Sequence, residues 1–325
     1  MERRNETIVA EFILEGFSTL GNTAKLCIFL LLSLAYMTTL LGNTLIIFIV
    51  WLEQRLHTPM YFFISNLSFV EIWFTSVTSP KMLLMFISGQ KTISFYGCMA
   101  QSYFYIFLGE TEFALLSVMS FDRYVAVCYP LRYATIMKAN FCTCLVIAAW
   151  AVGFTLASLH LVLITKLGFC GPNQINSFFC DNSPLFEISC TDTEKLKRAD
   201  SIMISTLGLS TLCLTMVSYA CILHSILKIP TAPEKQKAFG TCASHLTALA
   251  IAYGSCIVLY ARPPGSVSLG QKKVVALFNT VVYPVLNPFI YSLRNKIVKQ
   301  TLRGLSLQYC RIFSPGVPCF RTEKA

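Results

Sequence analysis

An all-α membrane protein, built as a seven-transmembrane-helix bundle with a short amphipathic helix after the seventh span, is the fold class this chain predicts. Three observations predict it. Of 325 residues, 55% are hydrophobic and only 13% charged, against roughly 25% charged in soluble domains. The apolar residues gather into seven runs, each near the ~20 residues that a helix needs to cross a bilayer. No Pro/Gly/Ser-rich linker or charge block separates two halves, so one domain is expected.

In chain order the runs are 24–51, 59–87, 98–121, 141–165, 201–227, 239–261 and 273–293. Residues 1–23 are polar and read as an outer tail, 24–293 as the bundle, and 294–325 as an inner tail. The first run lacks a cleavage-site pattern after it, so it is expected to act as its own insertion signal. The second opens on Pro59, which suits a first helical turn because its missing N–H is not needed there. It is the least pure run, interrupted by Asn66, Ser68, Glu71 and Pro80. The third closes on the charged triplet Asp122-Arg123-Tyr124, placed where a charge at a membrane boundary costs least. Lys235 and Lys237 open the sixth. In the seventh, Pro284 and Pro288 remove backbone donors, a loss tolerated where neighbouring helices or water satisfy the freed carbonyls. Residues 294–304, with Arg294, Lys296, Lys299 and Arg303, read as a basic amphipathic helix lying on the inner leaflet.

The net charge of +10 does not form a stripe, so nucleic acid is excluded as a partner, and anionic lipid headgroups with a cytosolic protein fit better. Lys and Arg are nearly balanced between the two sides, so orientation rests on two other features. Asn5-Glu6-Thr7 is a glycosylation sequon usable only on the lumenal side. The basic cluster after the last span is a local inside signal. Both place the amino terminus outside and the carboxyl terminus in the cytoplasm of a multi-pass plasma-membrane protein. Asn66-Leu67-Ser68 has the same form as the sequon but lies within a span, where it reads as helix packing.

No catalytic constellation emerges, and none of the four His shows metal spacing, so the chain is not read as an enzyme. Glu71 and Glu112 are carboxyls at membrane depth, where an isolated carboxylate is protonated or paired. Glu112 and Arg123 lie eleven residues apart, about three turns at 3.6 residues per turn, and so share a face. Glu110, two residues from Glu112, points elsewhere and has no evident role. His245 reads either as a titratable link between the third and sixth helices or as a packing histidine.

Several strings carry a family likeness. Leu56-His57-Thr58-Pro59-Met60-Tyr61-Phe62-Phe63 and Ile64-Ser65-Asn66-Leu67-Ser68 open the second span, and Met119-Ser120-Phe121-Asp122-Arg123-Tyr124-Val125-Ala126-Val127-Cys128-Tyr129-Pro130 closes the third. Lys237-Ala238-Phe239-Gly240-Thr241-Cys242-Ala243-Ser244-His245-Leu246 begins the sixth, and Pro284-Val285-Leu286-Asn287-Pro288-Phe289-Ile290-Tyr291 ends the seventh. Together they resemble the odorant receptors, a branch of the rhodopsin-like G-protein-coupled receptors, from about residue 8 to 304. The departures are Ser120 and Phe121 where alanine and tyrosine are usual, Gly240 in place of a serine, and Ala252 where an aromatic commonly precedes Tyr253-Gly254.

The resemblance implies a role for each of several residues. Arg123 would be the switch, paired with Asp122 at rest and released toward a G protein of the stimulatory olfactory type, raising cyclic AMP. Tyr124, Tyr219, Asn287, Pro288 and Tyr291 would serve the same switch. Glu71 and Glu112 would hold an allosteric sodium ion, with two protonated, hydrogen-bonded acids as the alternative. Cys98 would pair with Cys180 and Cys170 with Cys190. A pocket for small, mainly apolar odorants would be lined by Tyr105, Ile106, Gly109, Met203, Ile204, Leu207, Tyr253, Cys256, Ile257 and Tyr260, the last donating an orienting hydrogen bond. Light sensing is disfavoured because Lys272 and Lys273 lie only at the edge of the seventh span. Amine sensing is disfavoured because Tyr105 stands where an aspartate is usual. A multi-span channel or transporter is the alternative from another class, although no repeat of two halves supports it.

Overall fold

The computed structural model describes residues 9–16, 21–170, 172–260, 269–292 and 297–304, apart from the side chains of 237, 241, 256–260, 269–272 and 292. Seven long helices dominate the described residues. They are α1 (Asn22–Leu52), α2 (Pro59–Ile87), α3 (Phe95–Cys128), α4 (Ala139–Ile164), α5 (Glu194–Leu227), α6 (Ala232–Tyr260) and α7, a continuous run over 269–292. Among the described residues six segments are both long and apolar enough to cross a membrane. The 29 residues of α6 supply the length for the remaining crossing. The protein is a multi-pass membrane protein.

The pattern of exposure fits lipid as solvent. Leu31, Leu34 and Leu41 of α1 and Leu209, Met216 and Val217 of α5 point outward and are more than half exposed. Polar residues turn inward instead. Thr39, Asn43, Ser68, Glu71 and Thr75 are all buried. Many buried hydroxyls bond back to the carbonyl one turn earlier, as Thr75 does to Glu71 O at 2.8 Å. This satisfies them without a water that the bilayer does not hold.

α3 is the axis of the bundle, packed against α2, α4, α5 and α6. Its centre, Leu115, Leu116 and Met119, joins Phe63 and Leu67 of α2 in one apolar core. α3 and α4 approach closely at Gly153, where a Cβ would come within 2.7 Å of the Phe107 carbonyl oxygen. α7 absorbs its prolines through a π turn at Phe278–Val282, one residue before the helical stretch that carries Pro284 and Pro288. The helix runs on through both prolines, with Pro288 inside its last α-helical stretch.

Among the described residues three short strands cover the amino-terminal face of the bundle. β1 (Glu11–Leu14) lies between β2 (Thr92–Ser94) and β3 (Gln174–Ile175). It runs antiparallel to β2, with Phe12 opposite Ile93, and parallel to β3, with Leu14 opposite Ile175. The reading of 1–23 as a polar tail is corrected here. Phe12 and Leu14 are fully buried while Glu11 and Ile13 face out, the period-two alternation of a half-buried strand. Lys273 of α7 donates to Gly16 O at 2.7 Å and ties the segment to the seventh helix.

On the opposite face a helix over 297–304 follows α7. Val298 is buried against Ile49 and Leu56, and Lys299 and Arg303 are exposed, the division expected of an amphipathic helix. Thr301 donates to Glu53 in the α1–α2 turn at 3.2 Å. Hydrogen bonds from Arg55 hold the pKa of the same carboxyl down to about 2. The beginning of the expected helix, at Arg294 and Lys296, lies outside the described residues, as does the sequon at Asn5.

Candidate functional site

Three stations lie along α3. On the face opposite the sheet, Arg123 pairs with Asp122 through Nη2 at 2.7 Å and Nε at 3.2 Å. The Asp122 side chain is fully buried and that of Arg123 is 12% exposed. The second carboxylate oxygen of Asp122 accepts from the Tyr133 hydroxyl at 2.7 Å. Tyr133 belongs to a short helix, Tyr133–Ile136, between α3 and α4. Burial first, and the adjacent Asp122 carboxylate second, raise that phenol well above its ordinary range. Tyr133 was not among the residues singled out from sequence.

Around the pair stand the other switch candidates. Tyr219 of α5 meets His245 of α6 at 2.8 Å, and the same buried imidazole also interacts with the Leu116 backbone of α3, so it touches both the fifth and the third helix. Tyr291 is buried in the same core as Tyr219. Tyr124 packs beside Ile222 and Ile226 of α5, and its hydroxyl bonds to that of Tyr129 at 3.4 Å. Pro288 sits against α1, where a Cβ on Gly42 would come within 2.9 Å of its ring.

The second station is midway. Glu71 is fully buried and accepts from the Asn287 amide of α7. Glu112 is 6% exposed, near enough to Glu71 to interact with it electrostatically, and Tyr283 is buried beside it. Glu71 Oε2, Asn287 Oδ1 and Asn43 Oδ1 are buried with no hydrogen-bond partner among the described residues. Two helices supply the acids, and α1 and α7 supply the amide oxygens.

The third station lies under the sheet. Cys98 and Cys180 are joined, with Cα atoms 5.4 Å apart, and Cys170 is joined to Cys190 at 5.9 Å. The first bridge brings the α4–α5 loop down onto α3, where Cys180 N–H donates to Gln101 at 2.9 Å. Phe179 then packs on Tyr105 with centroids 4.8 Å apart, and Tyr105 stacks on Phe74 at 5.1 Å.

Of the predicted ligand residues, Ile106 and Tyr253 are buried and Tyr105, Gly109, Met203, Ile204 and Leu207 half-buried. Tyr253 packs on Phe113 of α3 at 5.3 Å, which joins α6 to the same wall. The side chains of Cys256, Ile257 and Tyr260 lie outside the described residues. A void of about 10 Å³ lined by Ile46, Ile64 and Tyr291 lies on the far side of the bundle and is too small for an odorant. Among the described residues, no three His, Cys, Asp or Glu side chains converge as a metal site.

A polar cluster roofs this wall, and sequence reasoning missed it. His160 of α4 meets Asp200 of α5, Nδ1 to Oδ1, at 2.6 Å. Asn182 of the loop donates to the same oxygen at 2.7 Å and accepts from Ser102 of α3 at 2.9 Å. Glu110 is in electrostatic reach of both His160 and Asp200, which gives that carboxyl a neighbourhood it lacked on sequence alone. The available signal was a lone histidine in an apolar run, since a buried ionisable group requires a partner.

Comparison with known proteins places these features in context. A family profile described as olfactory receptor matches residues 32–308. Olfactory receptor 6E1 of Mus musculus is 52% identical over 301 residues, covering 92% of this chain and 96% of that protein. Olfactory receptor 6T1 of Homo sapiens is 48% identical, covering 93% and 94%. Among solved structures, squid rhodopsin superposes with a TM-score of 0.68 at 16% identity, covering 91% of this chain and 89% of its own.

Proposed function

Because the chain belongs to the olfactory receptor family, a family of receptors and not of enzymes, we propose that it is an odorant receptor coupled to a stimulatory heterotrimeric G protein. Small, mainly apolar volatile molecules bind between α3, α5, α6 and α7, in the half of the bundle beneath the strands. Binding favours a population in which the far end of α6 moves away from α3. The G protein then enters beside Arg123 and raises cyclic AMP.

The observation that carries the reading is the Asp122–Arg123 pair, buried and closed by Tyr133. A buried ion pair is weak evidence for stability but suits an element with two states. The aromatic wall of Tyr105, Phe74 and Phe179 supports an apolar ligand, since such walls are typical of small-molecule pockets.

The amino terminus is taken to face outside and the carboxyl terminus the cytoplasm. Both disulfides lie on the amino-terminal face, and disulfides persist in oxidising compartments. Glu71, Glu112, Asn287 and Asn43 are proposed to hold a sodium ion, whose preference for oxygen ligands the unpartnered oxygens of Glu71, Asn287 and Asn43 match. Its single positive charge would offset one of the two buried acids, the other keeping its proton, and would favour the closed bundle.

The test is cyclic AMP in cells exposed to a broad odorant panel, comparing wild type with Arg123→Ala at equal surface level. Odorant-evoked signal is expected from wild type and at least a tenfold loss from the variant. Ligand-driven conductance without G protein would instead establish the channel alternative.

A further inference from the structure

We infer that His160 Nε2 is the polar anchor of the odorant pocket, and that the odorants this protein takes carry a hydroxyl group. This rests on the odorant-receptor reading and narrows the class of ligand.

The argument begins with two helical stripes. Tyr105, Ile106 and Gly109 recur on α3 at the spacing of one helix face, and the residue one turn before them on that face is Ser102. Met203, Ile204 and Leu207 recur on α5 in the same way, and the residue one turn before them is Asp200. Both stripes therefore end in a member of the cluster joining Ser102, Asn182, Asp200 and His160. The polar cluster caps the apolar pocket. The Cys98–Cys180 bridge fixes its height, because Asn182 lies two residues beyond Cys180.

Within this cap the bonding is lopsided. His160 is wholly buried, and its Nδ1 is engaged by Asp200 and Asn182. Its Nε2 is buried with no partner among the described residues. An unsatisfied buried polar nitrogen is costly, and native proteins rarely leave one without a partner. A ligand bound against this cap can supply the missing bond. A hydroxyl is the group that suits Nε2 in either tautomer or charge state, because it both donates and accepts. The apolar remainder of such a molecule meets Tyr105, Ile106 and Ile204, so the fitting class is aliphatic or aromatic alcohols.

The experiment uses the full-length receptor in cells, with cyclic AMP as readout. Medium-chain primary alcohols are compared with alkanes in which a methyl group replaces the hydroxyl, and with the corresponding methyl ethers. On wild type the alcohols are expected to be at least about tenfold more potent, the size of one hydrogen bond. His160→Asn, which keeps an amide for Asp200 but cannot reach the Nε2 position, should abolish that preference, bringing the alcohols to the potency of the alkanes and ethers on the same variant.

Equal potency of alcohols, ethers and alkanes on wild type overturns the inference without any variant having to fold. So does an alcohol preference that survives in surface-expressed His160→Asn. Silence of the wild type to these series and to a broad volatile panel would remove the odorant-receptor reading itself, and this inference with it.

Discussion

Tyr133 and Arg123 divide one carboxylate between them: the phenol donates to Asp122 Oδ1 and the guanidinium to Oδ2, both at 2.7 Å. The switch pair is thus held from outside its own helix. A hydrogen bond to a charged group contributes roughly 1.5–3 kcal/mol, enough to bias a two-state equilibrium about tenfold or more.

Removing that hydroxyl should loosen the resting state. Tyr133→Phe is expected to raise agonist-independent cyclic AMP several-fold at equal surface level. The added loss of Arg123, as Arg123→Ala, should cancel the gain. A basal signal unchanged in Tyr133→Phe would mean that the third hydrogen bond does not restrain the switch.

Asp181 gives a pH-dependent test on the amino-terminal face. Crowding by the protein, then the Asp200 carboxylate, lift its carboxyl to about 6 from an ordinary 3.8, against the lowering effect of the Asn182 N–H it accepts and of His160. The folded state therefore binds this proton more tightly than the unfolded chain. The stability it adds is complete below about pH 4 and is lost as pH rises through about 6. Asp181→Asn keeps an acceptor for Asn182 N–H. It should raise the thermal midpoint near about pH 7.5, with the advantage shrinking toward about pH 5. A pH-independent difference between variant and wild type would contradict this account.

The sodium proposal predicts an ion effect that other monovalent cations do not reproduce. Replacing choline with sodium outside the cell should lower agonist potency up to about tenfold, because an ion that prefers the closed bundle opposes opening. Glu71→Gln keeps an acceptor for the Asn287 amide but removes the charge, and should erase the sodium effect. Sodium sensitivity retained in Glu71→Gln would place the ion elsewhere or nowhere.

The spans were legible because a run of about twenty apolar residues is rarely compatible with anything but a bilayer crossing. Their ends were less so. α5 begins at Glu194, seven residues ahead of the expected start, since a helix rising above the lipid needs no apolar residues. The β1 strand was missed because four residues of alternation, Phe12 and Leu14 inward, are too few to stand out beside charged neighbours. His160 and Asp200 are separated by 40 positions, so only the fold brings them together. The cysteine pairs came from family likeness, as four cysteines alone leave three pairings open.

Gly153 offers the sharpest packing test. It lies buried on α4 where α3 passes, and an added methyl would meet the Phe107 carbonyl oxygen at 2.7 Å and the Thr111 amide nitrogen at 3.1 Å. Both are main-chain atoms of α3, which cannot rotate away as a side chain can. The helices would have to separate, and overpacking of this kind costs about 1–3 kcal/mol. That separation would also draw α4, and with it His160, away from Asp200. Gly153→Ala is therefore expected to reduce surface level several-fold by antibody staining of intact cells. The molecules that do arrive should show weakened odorant response with basal signalling unchanged. Gly240→Ala, where nothing lies within 4 Å of the added carbon, is the matched control and should leave surface level as in wild type. Equal surface levels for the two variants would show that the α3–α4 approach is looser than these distances require.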